Sequence, residues 1–197
     1  MSLVAIIESG GANFTSIQSA LNRVGVSSVV TRDPTQIITA SHVMLPGVGA
    51  AGYGMQLLHE QGLATLIPAL RQPVLGICLG QQLLCTHSEE DDADCLGIIP
   101  IGVARIKDAR IIPHMGWNNV AAVKPSALLK GITEDQDFYF VHSYAAAVSP
   151  AFTLGTCDYG TPFSAVIHKD NFYGVQFHPE KSGLAGMRVL ENFVRLS

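Results

Sequence analysis

The segment from Gly76 to Gly80 has the clearest chemical signature in the chain, because it places Cys78 midway between two glycines. The apolar residues before Cys78 predict a buried strand, and a helical pattern begins directly after it. This Gly-x-Cys-x-Gly arrangement is the cysteine version of the nucleophile elbow, in which glycines let strand and helix pass close to a strained turn. We therefore predict that Cys78 is a nucleophile. The other cysteines are interpreted as ordinary free thiols, namely Cys85, Cys95 and Cys157.

A thiol nucleophile needs a base that accepts and returns its proton, and the base needs a group that orients it. Among the seven histidines, His178 stands out because it follows an apolar strand and precedes Pro179 and Glu180. The rigid proline lets the Glu180 carboxylate hydrogen-bond the imidazole and hold its tautomer. A His-x-Glu pair alone is more often part of a solvated loop. Beside a nucleophile elbow, it predicts a Cys-His-Glu triad formed by Cys78, His178 and Glu180.

The two segments that carry these residues resemble a known family. The run from Gly76 to Gln82 and the run from Gly174 to Glu180 are similar to those of the class I glutamine amidotransferases of the triad type. The resemblance implies that Cys78 attacks the side-chain amide of glutamine. It also implies that His178 acts as general base and then as general acid while ammonia leaves, after which water hydrolyses the glutamyl thioester. It implies no cofactor and no metal.

Further site residues follow from this resemblance. The loop from Leu45 to Gly49 follows the third predicted strand and is expected at the same sheet edge as the elbow, where it would be the family's oxyanion strand. Without the elbow, it reads as a simple Pro-Gly turn. The implied oxyanion groups are Gly47, Val48, Gly49 and Leu79. The implied contacts with the amino-acid end of glutamine, for which a packing role fits equally well, are Gly49, Gln82, Ser143 and Tyr144.

Two more motifs narrow the resemblance to one branch of the family. The segments from Pro113 to Asn118 and from Phe138 to Tyr144 resemble those of the glutaminase subunits of imidazole glycerol phosphate synthase, which serve histidine biosynthesis. This branch implies a heterodimer in which a (β/α)8-barrel cyclase uses the ammonia to make imidazole glycerol phosphate and AICAR. The residues implied at the interface are Asn13, Trp117 and Lys181.

The chain departs from the family in two places, and other functions stay open. The loop from Glu8 to Asn13 keeps only part of the usual Asp-Tyr-Gly-x-Gly-Asn pattern, and Gln81 replaces the usual methionine. One alternative is the glutaminase subunit of anthranilate or aminodeoxychorismate synthase. Another is a stand-alone cysteine hydrolase or peptidase. A third, a non-catalytic regulatory protein, is disfavoured by the intact triad.

The patterns around these motifs predict an α/β fold in one domain that spans residues 1–197. Its central sheet is expected to be mixed and largely parallel, flanked by helices, with an antiparallel extension in the second half. Strands are predicted at residues 3–7, 28–31, 42–45 and 74–77, then at 102–106, 138–141, 152–156, 164–167 and 172–177. Helices are predicted at 14–24, within 52–70 and near the end of the chain, where the apolar face is Leu184, Met187, Leu190 and Val194.

Composition bounds the classes of protein that these motifs could serve. Of the 197 residues, 48% are hydrophobic and 14% are charged, which is a globular composition. The net charge of −4 and the lack of a basic run argue against a nucleic-acid surface. The opening run from Met1 to Ile7 lacks a basic lead and reads as a strand, and the apolar runs are too short to span a bilayer. We therefore expect a soluble cytoplasmic protein with neither nucleic-acid nor membrane partners.

Overall fold

The computed structural model describes residues 3–109 and 111–197. Its helices are α1 (Phe14–Arg23), α2 (Pro34–Thr39), α3 (Ala51–Glu60), α4 (Leu63–Leu66), α5 (Leu79–Leu83) and α6 (Gly183–Phe193). The strands of the first half are β1 (Leu3–Ile7), β2 (Ser27–Thr31), β3 (His42–Gly47), β4 (Val74–Cys78), β5 (His87–Ser88) and β6 (Ala93–Asp94). Those of the second half are β7 (Gly102–Arg105), β8 (His114–Asn119), β9 (Ala121–Ala122), β10 (Asp137–His142), β11 (Tyr144–Ala146), β12 (Thr153–Tyr159), β13 (Thr161–Lys169) and β14 (Phe172–Val175). Short 3-10 helices cover Ile67–Ala69, Glu90–Asp92 and Pro179–Lys181.

The central sheet has eight strands in the order β2-β1-β3-β4-β14-β13-β12-β9. The first five strands in this order pair in parallel, and the remaining pairs are antiparallel. The predicted mixed sheet with an antiparallel extension is therefore confirmed. β3 runs through Pro46 to Gly47, beyond its predicted end. Pro46, which lacks an N–H, is tolerated because the pairing of β3 with β1 stops at Met44.

The two faces of the sheet are covered by separate apolar cores. Alternate residues of β1 point to opposite faces, so Val4 and Ile6 join the core formed with α1, α6 and β10, whereas Ala5 and Ile7 join the core formed with α2 to α5. Burial on both faces explains why the parallel strands have continuous apolar sequences. None of the helices formed by residues 3–109 and 111–197 is long and apolar enough to cross a membrane.

Two strands that the sequence assigned to the central sheet belong to other sheets. The strand predicted at 102–106 is β7, which lies in a four-stranded sheet of order β11-β7-β5-β6. The strand predicted at 138–141 is β10, which pairs only with β8. An apolar alternation reports that a strand is half-buried, but it does not report which strand it pairs with. The assignment of these two strands was therefore wrong, although both strands exist.

Two helical features also differ from the prediction. Helix α2 was missed, although Asp33 caps it by accepting a hydrogen bond from the Thr35 amide and a proline occupies its first position. In α6 the predicted apolar face was wrong at Leu184, which is 88% exposed. The buried face includes Gly186, where an added Cβ would lie 2.0 Å from the Pro179 carbonyl oxygen. This close approach at Gly186 adds to the apolar contacts of Val189, Leu190 and Phe193 in setting how α6 packs.

Candidate active site

Cys78 ends β4 at a turn with an unusual backbone conformation. Cys78 has a φ of 54° and a ψ of −112°, and the residue as a whole is 6% exposed. A Cβ on Gly80 would lie 1.7 Å from the Leu45 carbonyl oxygen, and a Cβ on Gly76 would lie 2.6 Å from the Gly80 carbonyl oxygen. Both flanking glycines are therefore required by the close approach of β3, β4 and α5. The elbow predicted from the sequence is present, and it exposes the sulfur at the end of a buried strand.

His178 and Glu180 form a buried pair beside this elbow. Nδ1 of His178 lies 2.9 Å from Oε1 of Glu180. The other ring nitrogen, Nε2, makes no hydrogen bond with residues 3–109 and 111–197. Burial opposes protonation of the ring, but the neighbouring Cys78 sulfur and the Glu180 carboxylate outweigh it and raise the pKa of His178. The ring is therefore suited to hold a proton next to the sulfur.

The remaining thiols have a different environment. Burial raises the pKa of Cys95 to about 11 and that of Cys157 to about 12, and it raises the pKa of Cys85 as well. All three therefore stay protonated near neutral pH, which fits their interpretation as ordinary thiols.

A cavity of about 210 Å³ opens at Cys78 and His178. The predicted residues that line it are Val48, Gly49, Leu79, Gln82, Ser143 and Tyr144. The lining residues that follow β3 and β4 meet there because the carboxyl ends of parallel strands lie at one edge, whereas Ser143 follows β10 and Tyr144 begins β11, which belong to separate sheets. Gly47 does not line the cavity, but its Cα pairs with that of Cys78 across β3 and β4.

The two glycines of the predicted oxyanion loop have different structural roles. A Cβ on Gly47 would lie 3.0 Å from the Gly80 amide nitrogen, so Gly47 lets β3 approach the elbow. Gly49 has a φ of 90° and open space around it, so it serves only to let the backbone enter the left-handed region. The loop therefore combines a rigid position at Gly47 with a conformationally permissive one at Gly49.

The atypical loop from Glu8 to Asn13 lies against the oxyanion loop. The Ser9 hydroxyl donates a hydrogen bond to the Pro46 carbonyl oxygen. A Cβ on Gly11 would lie 3.0 Å from Cγ2 of Val48. Glu8, in place of the family's usual aspartate, accepts two hydrogen bonds from Arg32 at 2.7 and 2.8 Å. The two loops are thus in contact in this chain, which departs from the usual family pattern.

Three site residues were missed by the sequence reasoning: Glu90, His142 and Gln176. Glu90 and His142 line the cavity. Oε2 of Glu90 accepts a hydrogen bond from the Ala51 amide, and burial raises the pKa of Glu90 against the effect of this bond. Gln176 lies behind the sulfur, with its Nε2 3.6 Å from Sγ of Cys78. Only Gln176 had a sequence signal, since it is a polar residue within the apolar run before His178.

A buried pair of histidines supports one wall of the cavity. Nδ1 of His142 donates to the Tyr144 carbonyl oxygen at 2.8 Å, so its Nε2 must accept from Nδ1 of His114, at 3.1 Å. Nε2 of His114 then faces the Asn118 amide at 3.5 Å. Burial lowers the pKa of His142 to about 3 and that of His114 to about 4. Both rings are therefore neutral near pH 7. The direction of each hydrogen bond from Asn118 through the two histidines to Tyr144 is then fixed.

The three predicted interface residues lie near one another on the surface. Asn13 and Lys181 line a narrow cleft of about 20 Å³ together with Glu180. Nζ of Lys181 lies 5.8 Å from the centre of the Tyr139 ring, and the Trp117 ring lies 5.9 Å from the same ring. Trp117 is 58% exposed. His178 also lines this cleft, so two residues of the predicted triad border the same cleft as Asn13 and Lys181.

Comparisons with known proteins show the family of this chain. The family model for "Glutamine amidotransferase class-I" matches residues 5–196. The imidazole glycerol phosphate synthase subunit HisH of Bacteroides fragilis is 51% identical over 196 residues, which cover 98% of this chain and 99% of that protein. The subunit of the same name from Escherichia coli is 49% identical over 195 residues, with coverage of 98% and 99%.

Solved structures share the fold at lower identity. One described as glutamine amidotransferase superposes with a TM-score of 0.74 at 17% identity, covering 98% of this chain and 99% of that one. The structural match and the sequence match both span nearly the whole chain, and they indicate the same fold. On this basis the chain belongs to the class I glutamine amidotransferases.

Proposed function

We propose that this chain is the glutaminase subunit of an imidazole glycerol phosphate synthase. It hydrolyses glutamine to glutamate and ammonia and passes the ammonia to a cyclase subunit in histidine biosynthesis. The observation that carries the proposal is the identity of about half of all residues, over nearly the full length, to subunits that bear this name. The arrangement of Cys78, His178 and Glu180 at one cavity supports the chemistry.

The reaction begins with attack by the Cys78 sulfur on the side-chain carbonyl carbon of glutamine. His178 removes the thiol proton and then donates a proton to the departing nitrogen, so that ammonia leaves and a glutamyl thioester remains. A water molecule, deprotonated by the same imidazole, attacks the thioester and releases glutamate. The Glu180 carboxylate holds the ring in one tautomer throughout, because it accepts the hydrogen bond from Nδ1.

Both tetrahedral intermediates carry a negative oxygen that needs hydrogen-bond donors. We assign the Leu79 amide, which follows the nucleophile, as one donor. A second amide comes from the loop of Gly47, Val48 and Gly49. This loop reaches the elbow through the pairing of Gly47 with Cys78. The positive φ of Gly49 makes peptide rotation in the loop sterically possible.

Glutamine is recognised at its amino-acid end by the other residues of the cavity. Both hydrogens of the Gln82 amide are used inside the protein, on the Tyr144 carbonyl at 2.8 Å and on Oε1 of Gln176 at 3.0 Å. Only the Gln82 oxygen can therefore face the substrate, where it suits the ammonium group. The Glu90 carboxylate is a second, charged acceptor for the same group. Ser143 and Tyr144 complete this side of the cavity.

The partner is a (β/α)8-barrel cyclase that docks over Asn13, Trp117 and Lys181. Asn13 and Lys181 line a cleft together with His178 and Glu180, and Lys181 follows Glu180 directly in the chain. A docking surface so close to the active site gives ammonia a short route into the partner. We place the complex in the cytoplasm, because all four cysteines are free thiols.

Glutamine hydrolysis in the presence of different partners tests the proposal. The purified chain is mixed with the cyclase subunit of an imidazole glycerol phosphate synthase, and in parallel with the synthase subunits of anthranilate and aminodeoxychorismate synthases. We expect glutamine-dependent product formation only with the cyclase, and none with Cys78→Ala. Coupling to either chorismate-dependent synthase would instead support the alternative function. Hydrolysis of a peptide or ester in the absence of any partner would favour a stand-alone hydrolase.

A further inference from the structure

We propose that Gln176 is a further catalytic residue, whose side-chain amide donates a hydrogen bond to the Cys78 sulfur and holds it for attack. The proposal rests on the glutaminase function proposed above. It is motivated by a fully buried amide that contacts the reacting atom, with its Nε2 3.6 Å from Sγ.

The backbone places Gln176 and His178 on the same side of the nucleophile. β14 pairs in parallel with β4, and this pairing ends where Val175 lies opposite Ile77. Gln176 is the next residue, and its backbone N–H donates a hydrogen bond to the Ala165 carbonyl oxygen at 2.9 Å. Residues two apart in an extended segment share a face, so Gln176 contacts the sulfur and His178 lines the same cavity as Cys78, while Phe177 enters the core.

The direction of the Gln176 amide is fixed by its neighbours. Nε2 of Gln82 has two hydrogens, and it gives one to the Tyr144 carbonyl and the other to Oε1 of Gln176. With its oxygen committed to Gln82, Gln176 can present only its N–H₂ group to the sulfur. The Tyr144 carbonyl is itself held by Nδ1 of His142. A flipped Gln176 amide would place its oxygen against the sulfur and its nitrogen against the Gln82 nitrogen, which loses both hydrogen bonds.

A neutral amide donor has a different catalytic role from the imidazole. It cannot take up the thiol proton, but its hydrogen bond is stronger to a thiolate than to a thiol or a thioester, because a charged sulfur is the better acceptor. The amide therefore favours the ionised nucleophile before attack. It acts again in thioester hydrolysis, when the carbon–sulfur bond breaks and its electron pair returns to the sulfur. An amide with no role at the sulfur would be costly to bury there.

The test compares Gln176→Met with wild type. Methionine has a similar size and lacks a donor. Gln176→Asn is the second variant, since it keeps a buried amide but withdraws it from the sulfur. Gln81→Met is the matched control, because Gln81 is equally buried and spends its amide on the Ser164 carbonyl, at 2.9 Å. Circular dichroism and melting temperature establish that each variant is folded.

The readout that needs no glutamine is the pH profile of Cys78 alkylation by iodoacetamide, followed by peptide mapping. We expect the pH of half-maximal alkylation to rise by about one unit in both Gln176 variants. Glutaminase kcat/KM should fall by about 10- to 100-fold. The Gln81→Met control should move neither quantity.

An unchanged alkylation profile in both Gln176 variants would overturn the assignment. So would a shift of equal size in Gln81→Met, since it would reflect packing alone. If the wild-type chain hydrolysed no glutamine in complex with a cyclase, the proposed function would fail. The alkylation profile would still decide whether Gln176 acts on the sulfur.

Discussion

The Glu180 carboxylate lies 2.9 Å from Nδ1 of His178, and the two side chains are only 3% and 6% exposed. The enclosed pair orients the imidazole with Nδ1–H on the carboxylate, and Nε2 makes no hydrogen bond with the described residues. In the catalysis that we propose, the Glu180 carboxylate therefore acts through the ring and not on the substrate. This division of roles makes the three members of the triad unequal when they are replaced.

Cys78→Ala is expected to abolish glutamine hydrolysis, and His178→Asn should be nearly as damaging, because nucleophile and base act as one unit. Glu180→Gln is expected to retain roughly 10²-fold more activity, since Glu180 orients the ring and transfers no proton. Steady-state ammonia release measures all three variants, with Glu60→Gln as a surface control. A Glu180→Gln variant as inactive as Cys78→Ala would contradict the orienting role.

Glu90→Gln is expected to raise the KM for glutamine by about 10- to 100-fold with a small change in kcat. The substitution keeps the shape of the side chain and an oxygen for the Ala51 amide, but it removes the charge that faces the substrate ammonium. Asp92→Asn is the control, because it removes a neighbouring charge from a side chain that is 97% exposed. Equal KM values for wild type and Glu90→Gln would assign Glu90 to loop structure alone.

The buried histidine pair predicts how stability depends on pH. His114 and His142 have pKa values of about 4 and about 3 in the folded chain, below the ordinary value of 6.5. As pH falls below 6.5, the unfolded chain therefore binds more protons than the folded one, and the free energy of unfolding decreases. Each histidine contributes up to about 1.4 kcal/mol per pH unit, until its folded pKa is reached.

Urea unfolding measured between about pH 7 and pH 5 checks this dependence. His114→Gln is expected to weaken the slope, whatever its effect at neutral pH, because it removes one of the three histidines whose pKa burial lowers, His42, His114 and His142. His59→Gln, which replaces an exposed histidine, should leave the slope unchanged. A slope that is the same in wild type and His114→Gln would show that this pair does not control acid stability.

Lys181→Glu is expected to weaken association with the cyclase by about 10-fold and to leave the fold intact. The substitution replaces the cation beside Tyr139 by a second carboxylate next to Glu180, on the surface that we assign to the partner. Lys130→Glu reverses an exposed charge outside this group and serves as the control. Titration calorimetry with the cyclase measures both. Identical affinities for wild type and Lys181→Glu would show that the cyclase docks on a different surface.

The sequence was most informative about the site where steric contacts allow only one residue type. The glycines around Cys78 are dictated by contacts of 1.7 and 2.6 Å that any Cβ would make, so the elbow could be predicted from residue types alone. Glu90 could not be found this way, and the only signal for Gln176 was a polar residue in an apolar run. They reach the site by contacts between segments far apart in the chain, such as the 98 residues between Cys78 and Gln176. A local pattern carries no information about such contacts.

The same limit explains the errors in the fold. β7 and β10 have the alternation of half-buried strands, but their partners are chosen by the packing of whole layers. The buried face of α6 includes Gly186, which packs closely against Pro179, and the hydrophobicity of a glycine does not report such a contact. The oxyanion loop and the glutamine contacts were predicted from the family resemblance. From the residues alone, the loop reads as a Pro-Gly turn, and a packing role fits the glutamine contacts equally well.

The oxyanion loop is expected to make the isolated subunit a weak glutaminase. One missing oxyanion donor costs on the order of 10²–10³ in rate, so a peptide rotation in the loop of Gly47 to Gly49 is sufficient as a switch. A partner that docks on the same edge can bias the loop toward the active orientation. Steady-state glutaminase assays on the subunit alone, and on the complex loaded with the cyclase's substrate, should differ by about that factor. Equal turnover in both would rule out the switch.

Gly49→Ala tests the role of the loop backbone directly. Gly49 has a φ of 90° with open space around it, so alanine meets no clash but disfavours this conformation. Gly62, with a φ of 69° and open space as well, is the matched control far from the loop in sequence. Both substitutions should cost about 1–2 kcal/mol in the free energy of unfolding. Only Gly49→Ala should change the ratio between glutaminase rates in the loaded complex and in the free subunit. If both variants kept the wild-type ratio, the left-handed conformation of Gly49 would have no part in the activation.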